Sequence, residues 1–347
     1  MRNSLTISAL LLALLFVPGQ ASADPRNDYK RGLEAYRDGD LVEAADYFER
    51  SAEKGYLKAQ VELAGMYLRG EGLEEDPGDA ASWYLKAARQ GDAEAQYQLA
   101  QLFREGKGVT ADATRAIRWL RRAALQGLAD AQYDLGLAYL RGDGIRQDSV
   151  LAARWFLHAA EQGLVQAQYR LAAAYFQGDG VDQDRALAAR WLERAAEQGD
   201  RQSQFDLGML YIDGTGVEQD YGQAMLWLDK AAGQGSRQAQ YNIGLMYERG
   251  LGTDRDLGKA AEWFHKAAEK GDPAAQFSLG KLYVLGKGLP RDYVMAYAWL
   301  NLAAAEEYPT ASRSLRILEE EMDSDQVSEA QKISRELWEK IHGNALE

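Results

Sequence analysis

A period of 36 residues constrains this chain more than any other feature. Glutamine recurs at Gln60, Gln96, Gln132, Gln168, Gln204, Gln240 and Gln276. In the same frame run an aromatic column from Tyr67 and Phe103 to Tyr283, glycine pairs from Gly70 with Gly72 to Gly286 with Gly288, and aspartates from Asp76 to Asp292. Trp83, Trp119, Trp155, Trp191, Trp227, Trp263 and Trp299 form a further column that takes all but one of the 8 tryptophans. Alanine pairs from Ala87 and Ala88 to Ala303 and Ala304 follow, and a closing glycine recurs from Gly55 to Gly271. Most of the 34 glycines are therefore punctuation, not linker. Self-similarity at such a period marks stacked repeats. A frame that holds from Ala59 to Ala304 leaves no room for an inserted catalytic domain.

Each unit reads as two helices. Ala95, Leu99, Leu102 and Phe103 make the apolar stripe of a 3.6-residue period. Gly106 and Gly108 then supply the positive φ that a helix end and a tight turn require. Asp112 can accept hydrogen bonds from the free N–H groups of the next helix, whose stripe is Ala116, Trp119, Leu120, Ala123 and Ala124. Asp76 with Pro77, and Asp272 with Pro273, repeat that start signal. The small alanines let helices approach closely, and the tryptophan fills the remaining volume. One such pair cannot bury its apolar face alone, so the units must stack into a solenoid.

The ends depart from the period. Residues 1–23 carry Arg2, an apolar run from Leu5 to Val17, a Pro18–Gly19 break and Ala21, Ser22, Ala23, which reads as a secretory signal peptide cut after Ala23. The run is shorter than the roughly 20 residues of a membrane span, so no membrane insertion is expected after cleavage. Residues 24–55 form a degenerate N-terminal helix pair with a shorter turn at Gly39–Asp40, residues 56–307 hold seven in-register repeats, and residues 308–347 supply C-terminal capping helices. Pro309 is expected to start a helix running to about Met322, and Asp325 to cap a last helix carrying Val327, Ala330, Leu337, Trp338 and Ile341.

The succession of alanine, leucine-glycine, tyrosine, GxG, aspartate, tryptophan and alanine-alanine, as in Ala131 to Gly163, resembles the Sel-one-like repeat (SLR) family. The resemblance covers seven full units and a degenerate first one. It implies an all-α fold, an α/α superhelical solenoid of about eight 36-residue helix-pair repeats related to tetratricopeptide arrays. It also implies a scaffold or adaptor, often exported by bacteria, and not an enzyme. With the signal peptide, the expected role is a periplasmic interaction protein that binds one or more proteins on its concave face. Two alternatives share the same address: a secreted factor engaging a host protein, and a regulatory partner of an envelope or exopolysaccharide enzyme.

Composition narrows the chemistry further. With 53 acidic and 40 basic residues the net charge is -13, which disfavours nucleic acid as a partner. The absence of cysteine excludes disulfides, thiolate metal sites and thiol nucleophiles. The histidines, His158, His265 and His342, fall in different units, so neither a metal pair nor a Ser-His-Asp order can be built. His158 stands in a column otherwise Lys or Arg and is expected to be solvated. Gly280 to Lys287 has the wrong spacing for a phosphate loop, and Gly178 to Asp184 lacks the terminal glutamate of a calcium loop. No catalytic, cofactor or metal residue is assigned, and no cofactor is expected.

Candidate binding residues come from helix geometry. At about 100° per residue, Ala95, Leu99 and Phe103 share one side of the first helix, and Tyr97, Gln101 and Arg104 lie opposite. In the central units the opposite columns turn apolar: Tyr133, Leu137 and Leu140; Tyr169 and Phe176; Phe205, Met209 and Ile212; Tyr241 and Leu245. Elsewhere they carry Gln101, Arg104, Glu248 or Lys281. The expectation is a groove for a partner's helix or extended segment. Packing of the tyrosine column between repeats is the competing reading.

Overall fold

The computed structural model describes residues 24–343, so the signal-peptide reading lies outside the described residues. These residues form two compact units that divide between Ala131 and Gln132. The first contains α1 (Pro25–Asp38), α2 (Leu41–Glu53), α3 (Leu57–Arg69), α4 (Pro77–Arg89), α5 (Ala93–Glu105) and α6 (Ala113–Leu125), paired in that order. The second begins within α7 (Ala129–Arg141) and continues through α8 (Ser149–Glu161), α9 (Val165–Gln177), α10 (Arg185–Glu197), α11 (Arg201–Asp213) and α12 (Tyr221–Gly233). It ends with α13 (Arg237–Arg249), α14 (Leu257–Ala268), α15 (Pro273–Leu285), α16 (Tyr293–Ala305), α17 (Ala311–Glu319) and α18 (Ser324–Gly343). No strand occurs among the described residues, and the all-α repeat fold expected from the sequence is present.

The recurring residues each have a local task. Asp112, Asp148 and Asp184 accept from the backbone N–H groups of Arg115, Leu151 and Leu187 at 2.8–2.9 Å, capping α6, α8 and α10. Their own N–H groups donate to the carbonyls of Phe103, Tyr139 and Tyr175, which closes the inter-helix loop. The first glycine of each pair ends the first helix in the left-handed region, as Gly106 does at φ 71°. The second meets its predecessor's backbone. A Cβ on Gly108 would collide with the Pro77 carbonyl at the start of α4, so the close approach admits only glycine.

The first unit has a core built from Ala44, Phe48, Leu63, Ala87, Ala88, Leu99 and Phe103 among others. In the second, Ala231, Leu228 and Ile243 centre one cluster, and Phe264, Leu279 and Trp299 another. Trp191 is 6% exposed and Trp299 fully buried, whereas Trp119, Trp155 and Trp263 are half-buried.

The C-terminal end departs from the sequence expectation. Pro309 does not begin a helix; Thr310 takes φ 71° and α17 runs only from Ala311 to Glu319. The cap of α18 is Asp323, whose carboxylate accepts from the N–H groups of Asp325 and Gln326 at 3.0 and 2.9 Å. Asp325 lies inside the first turn, where its charge still complements the helix dipole.

Candidate binding face

Two side-chain ladders recur along the repeats: the first joins successive helix pairs, and the second lies within the second helix of each pair. The buried glutamines use both ends of their amide. Gln60, Gln96, Gln168, Gln204, Gln240 and Gln276 donate through Nε2 to the carbonyls of Ala52, Ala88, Ala160, Ala196, Ala232 and Ala268 at 3.0–3.3 Å. Their Oε1 accepts from a glutamine 30 residues later: Gln90 to Gln60, Gln126 to Gln96, Gln162 to Gln132, Gln198 to Gln168 and Gln234 to Gln204, at 2.7–2.9 Å. The ladder stops where that second glutamine is absent. Lys270 and Glu306 stand in its place, and the buried Oε1 atoms of Gln240 and Gln276 have no protein donor.

The second ladder is cationic. Lys86, Lys230 and Lys266 place Nζ 3.4, 3.8 and 4.0 Å from the ring centroids of Trp83, Trp227 and Trp263. Arg122 and Arg194 cover Trp119 and Trp191 at 4.6 and 4.5 Å. His158 occupies the same column and meets Trp155 edge-on at 5.7 Å, so it is exposed but packed on a ring. His265 contacts Trp299 and Glu269, and His342 stacks on Trp338 at 3.8 Å. Among the described residues no group of three His, Cys, Asp or Glu is placed to hold a metal ion.

All ten candidate residues lie in the second unit, and their environments differ. Tyr133 and Tyr241 pack on Phe156 and Phe264 of the following helix, with ring centroids 5.8 and 5.6 Å apart. Phe205 and Ile212 pack against the core around Leu228, and Leu245 against that around Leu279. Leu137 and Met209 are half-buried. Tyr169 is tied to the next repeat: its hydroxyl donates to Asp206, which also accepts from Gln202 at 2.9 Å. Burial first, then the Asp206 charge, pushes the Tyr169 hydroxyl up to about 12, and burial raises the Asp206 carboxyl above its ordinary range.

Two candidates face open space. Phe176 is 37% exposed, with the Arg185 guanidinium 5.8 Å from its ring. Leu140 lines a cavity of about 130 Å³ with Phe156, Ala173, Arg170 and Gln177. The same columns also become apolar in the last repeat, which sequence reasoning missed. There Phe277, Val284 and Leu285 line a cavity of about 250 Å³ closed by Ile317 and Leu318 of α17. Lys281, which marked that repeat as polar, turns to an ion pair with Glu248 at 3.0 Å. Phe277 and Val284 were visible at the 36-residue spacing, whereas the contribution of α17 was not.

The Sel1 repeat pattern matches residues 29–56, 57–92, 93–128, 129–164, 165–200, 201–236, 237–272 and 273–308. The chain belongs to the Sel1 repeat family. Like other Sel1 repeat proteins it has the fold of a protein-interaction scaffold; the family generally mediates contacts between proteins and is typically non-enzymatic. It is similar to a Sel1 repeat protein from Oxalobacter formigenes, at 35% identity over 85% of this chain and 86% of that one, with a TM-score of 0.65. It is also similar to a protective antigen of uropathogenic Escherichia coli displaying an SLR fold, at 28% identity over 93% and 94% of the two chains and a TM-score of 0.57. No curated protein matches this Sel1 repeat chain. No helix among its described residues is long and apolar enough to cross a membrane.

Proposed function

We propose that this Sel1 repeat protein is an exported, non-enzymatic scaffold of the bacterial envelope that holds a partner protein on the first-helix face between Tyr133 and Leu245. The periplasm is the proposed site, from the Arg2, Leu5 to Val17 and Ala23 pattern. The observation that carries the binding reading is the exposure of Phe176 beside the cavity lined by Leu140. A large aromatic left open on a repeat surface suits an apolar anchor from a partner. The half-buried members of the face support its shape from beneath.

Photo-crosslinking in cells tests this reading. A photoreactive residue at Phe176 is expected to trap one protein reproducibly, and the same residue at the exposed Glu161 of α8 is not. Phe176→Ser should abolish capture with little change in melting temperature, because the ring is not core. Equal trapping at both positions, or collapse of stability in Phe176→Ser, would overturn the assignment. Similarity to a protective antigen of uropathogenic Escherichia coli supports a second reading, a secreted form that meets a host protein. Appearance of the protein in culture medium, not in the periplasmic extract, decides for it.

A further inference from the structure

A further cavity, of about 370 Å³, lies in the first unit between α4, α5 and α6. Its floor is apolar, made by Leu85, Phe103 and Trp119. Its rim is Arg89, Arg115, Arg118 and Arg122. Arg115 and Arg122 lie over the rings of Phe103 and Trp119 at 5.6 and 4.6 Å. Arg115 pairs with Asp112 at 3.2 Å, but among the described residues Arg89, Arg118 and Arg122 have no carboxylate within 4.0 Å. Gathering such guanidinium groups without counter-charge costs folding energy through mutual repulsion.

The repeat itself supplies the control. In the column of Arg89 the later units carry Leu125, Glu161, Glu197, Gly233 and Glu269, and Arg115 is followed by Leu151 and Leu187; only the Arg118 column stays basic for two more units, at Arg154 and Arg190, before Leu226 and Glu262. The floor differs as well, because Phe103 is the one phenylalanine in a column otherwise tyrosine. Helix α6 has four arginines and no acidic residue in a chain of net charge -13. The scaffold does not require this collection, since the other units fold without it.

We infer that this cavity docks a short acidic segment of a partner protein, seating one apolar side chain on Phe103 and Trp119 while flanking carboxylates meet the arginine rim. Guanidinium groups are weakly hydrated and match carboxylates in a bidentate geometry, and the floor gives an apolar anchor a place that a phosphate chain would leave unused. The surrounding negative charge disfavours a long polyanion, whereas a short segment reaches only the rim. This site is independent of the face around Phe176, so either reading can fail alone.

The test is fluorescence anisotropy of a labelled peptide, Glu-Glu-Leu-Phe-Glu-Glu, titrated with the full exported chain. Saturable binding is expected, weakening about tenfold as NaCl rises from about 50 to about 500 mM, because rim charges are screened. Arg118→Glu, and separately Arg89→Ser, should weaken it by about tenfold with unchanged circular dichroism, since both side chains are exposed rim charges. Arg154→Glu, in the same column as Arg118 but outside the cavity, and Phe176→Ser should leave it intact. Four results would overturn the inference: no binding, equal binding of the Gln-for-Glu peptide, no effect of either rim variant, or equal competition by single-stranded DNA or inorganic phosphate.

Discussion

At the scale of single residues, the departures from the period are the informative positions. Lys270 keeps one of the two bonds that Gln90 and Gln234 make in its column, donating to the Gly235 carbonyl at 3.2 Å as Gln234 does to Gly199 at 2.8 Å, but it leaves Gln240 Oε1 unmet. An unmet buried acceptor costs about 1–3 kcal/mol. Lys270→Gln is therefore expected to raise stability by about 1 kcal/mol, measured by urea unfolding, after allowing for a lost charge at the end of α14. Glu307 is a second such position. It stands 36 residues after Gly271, in the closing-glycine column, and still adopts φ 56°. Glu307→Gly should gain about 0.5–1 kcal/mol by relieving the left-handed strain, net of the entropy glycine adds to the unfolded chain. A loss in either variant contradicts the corresponding account.

At the scale of helices, the bond from Tyr169 on α9 to Asp206 on α11 links successive first helices through a partly buried carboxylate. Burial raises the Asp206 carboxyl in the folded state, so the native chain holds this proton more tightly than the unfolded one. Stability from this group is therefore lost as pH rises through the carboxylate range, and the penalty persists at neutrality. Asp206→Asn should melt about 2 °C higher at pH 7, with the gain vanishing below about pH 4, where aspartate is itself protonated. A gain equal at both pH values would show that charge is not the cause. Helix pairs, caps and turns were legible in the sequence because each depends on residues within one unit: Asp112 caps four positions from Ala116, and Gly106 ends its own helix. The glutamine ladder was visible as a column without a purpose, since Gln96 acquires its acceptor role only from Gln126, 30 residues away. His158 is exposed, as its column suggests, but its edge-on contact with Trp155 depends on ring geometry that the apolar stripe does not record. On the candidate face, the spacing singled out Phe176, but it could not tell Phe176 from Ile212, whose surroundings depend on the next helix pair. The later start of α17, expected from Pro309, escaped because the left-handed Thr310 leaves no trace in hydrophobic pattern.

At the scale of the molecule, a stack in which each pair leans on its neighbours needs something to cover its last apolar face. In the second unit α18 does this. Leu337 and Ile341 pack onto the core that holds Trp299 and Leu302, Lys340 pairs with Glu269 at 2.7 Å, and Ser334 accepts from Asn301 at 2.8 Å. Deleting residues 324–347 should expose that core, lowering the melting temperature and raising binding of a hydrophobic dye. A truncated chain that unfolds as cooperatively as the full one would show that the last repeat stands alone.

The 30-residue reach of the glutamine ladder also bears on how the chain comes to its fold. Each rung closes a loop of the same modest length, so the entropy of bringing partners together does not grow as repeats are added. Folding can then advance along the chain as it emerges, each helix pair templating the next without waiting for distant sequence. Among the described residues the Lys340–Glu269 hydrogen bond reaches further, 71 residues, so the docking of α18 closes a longer loop than any rung of the ladder.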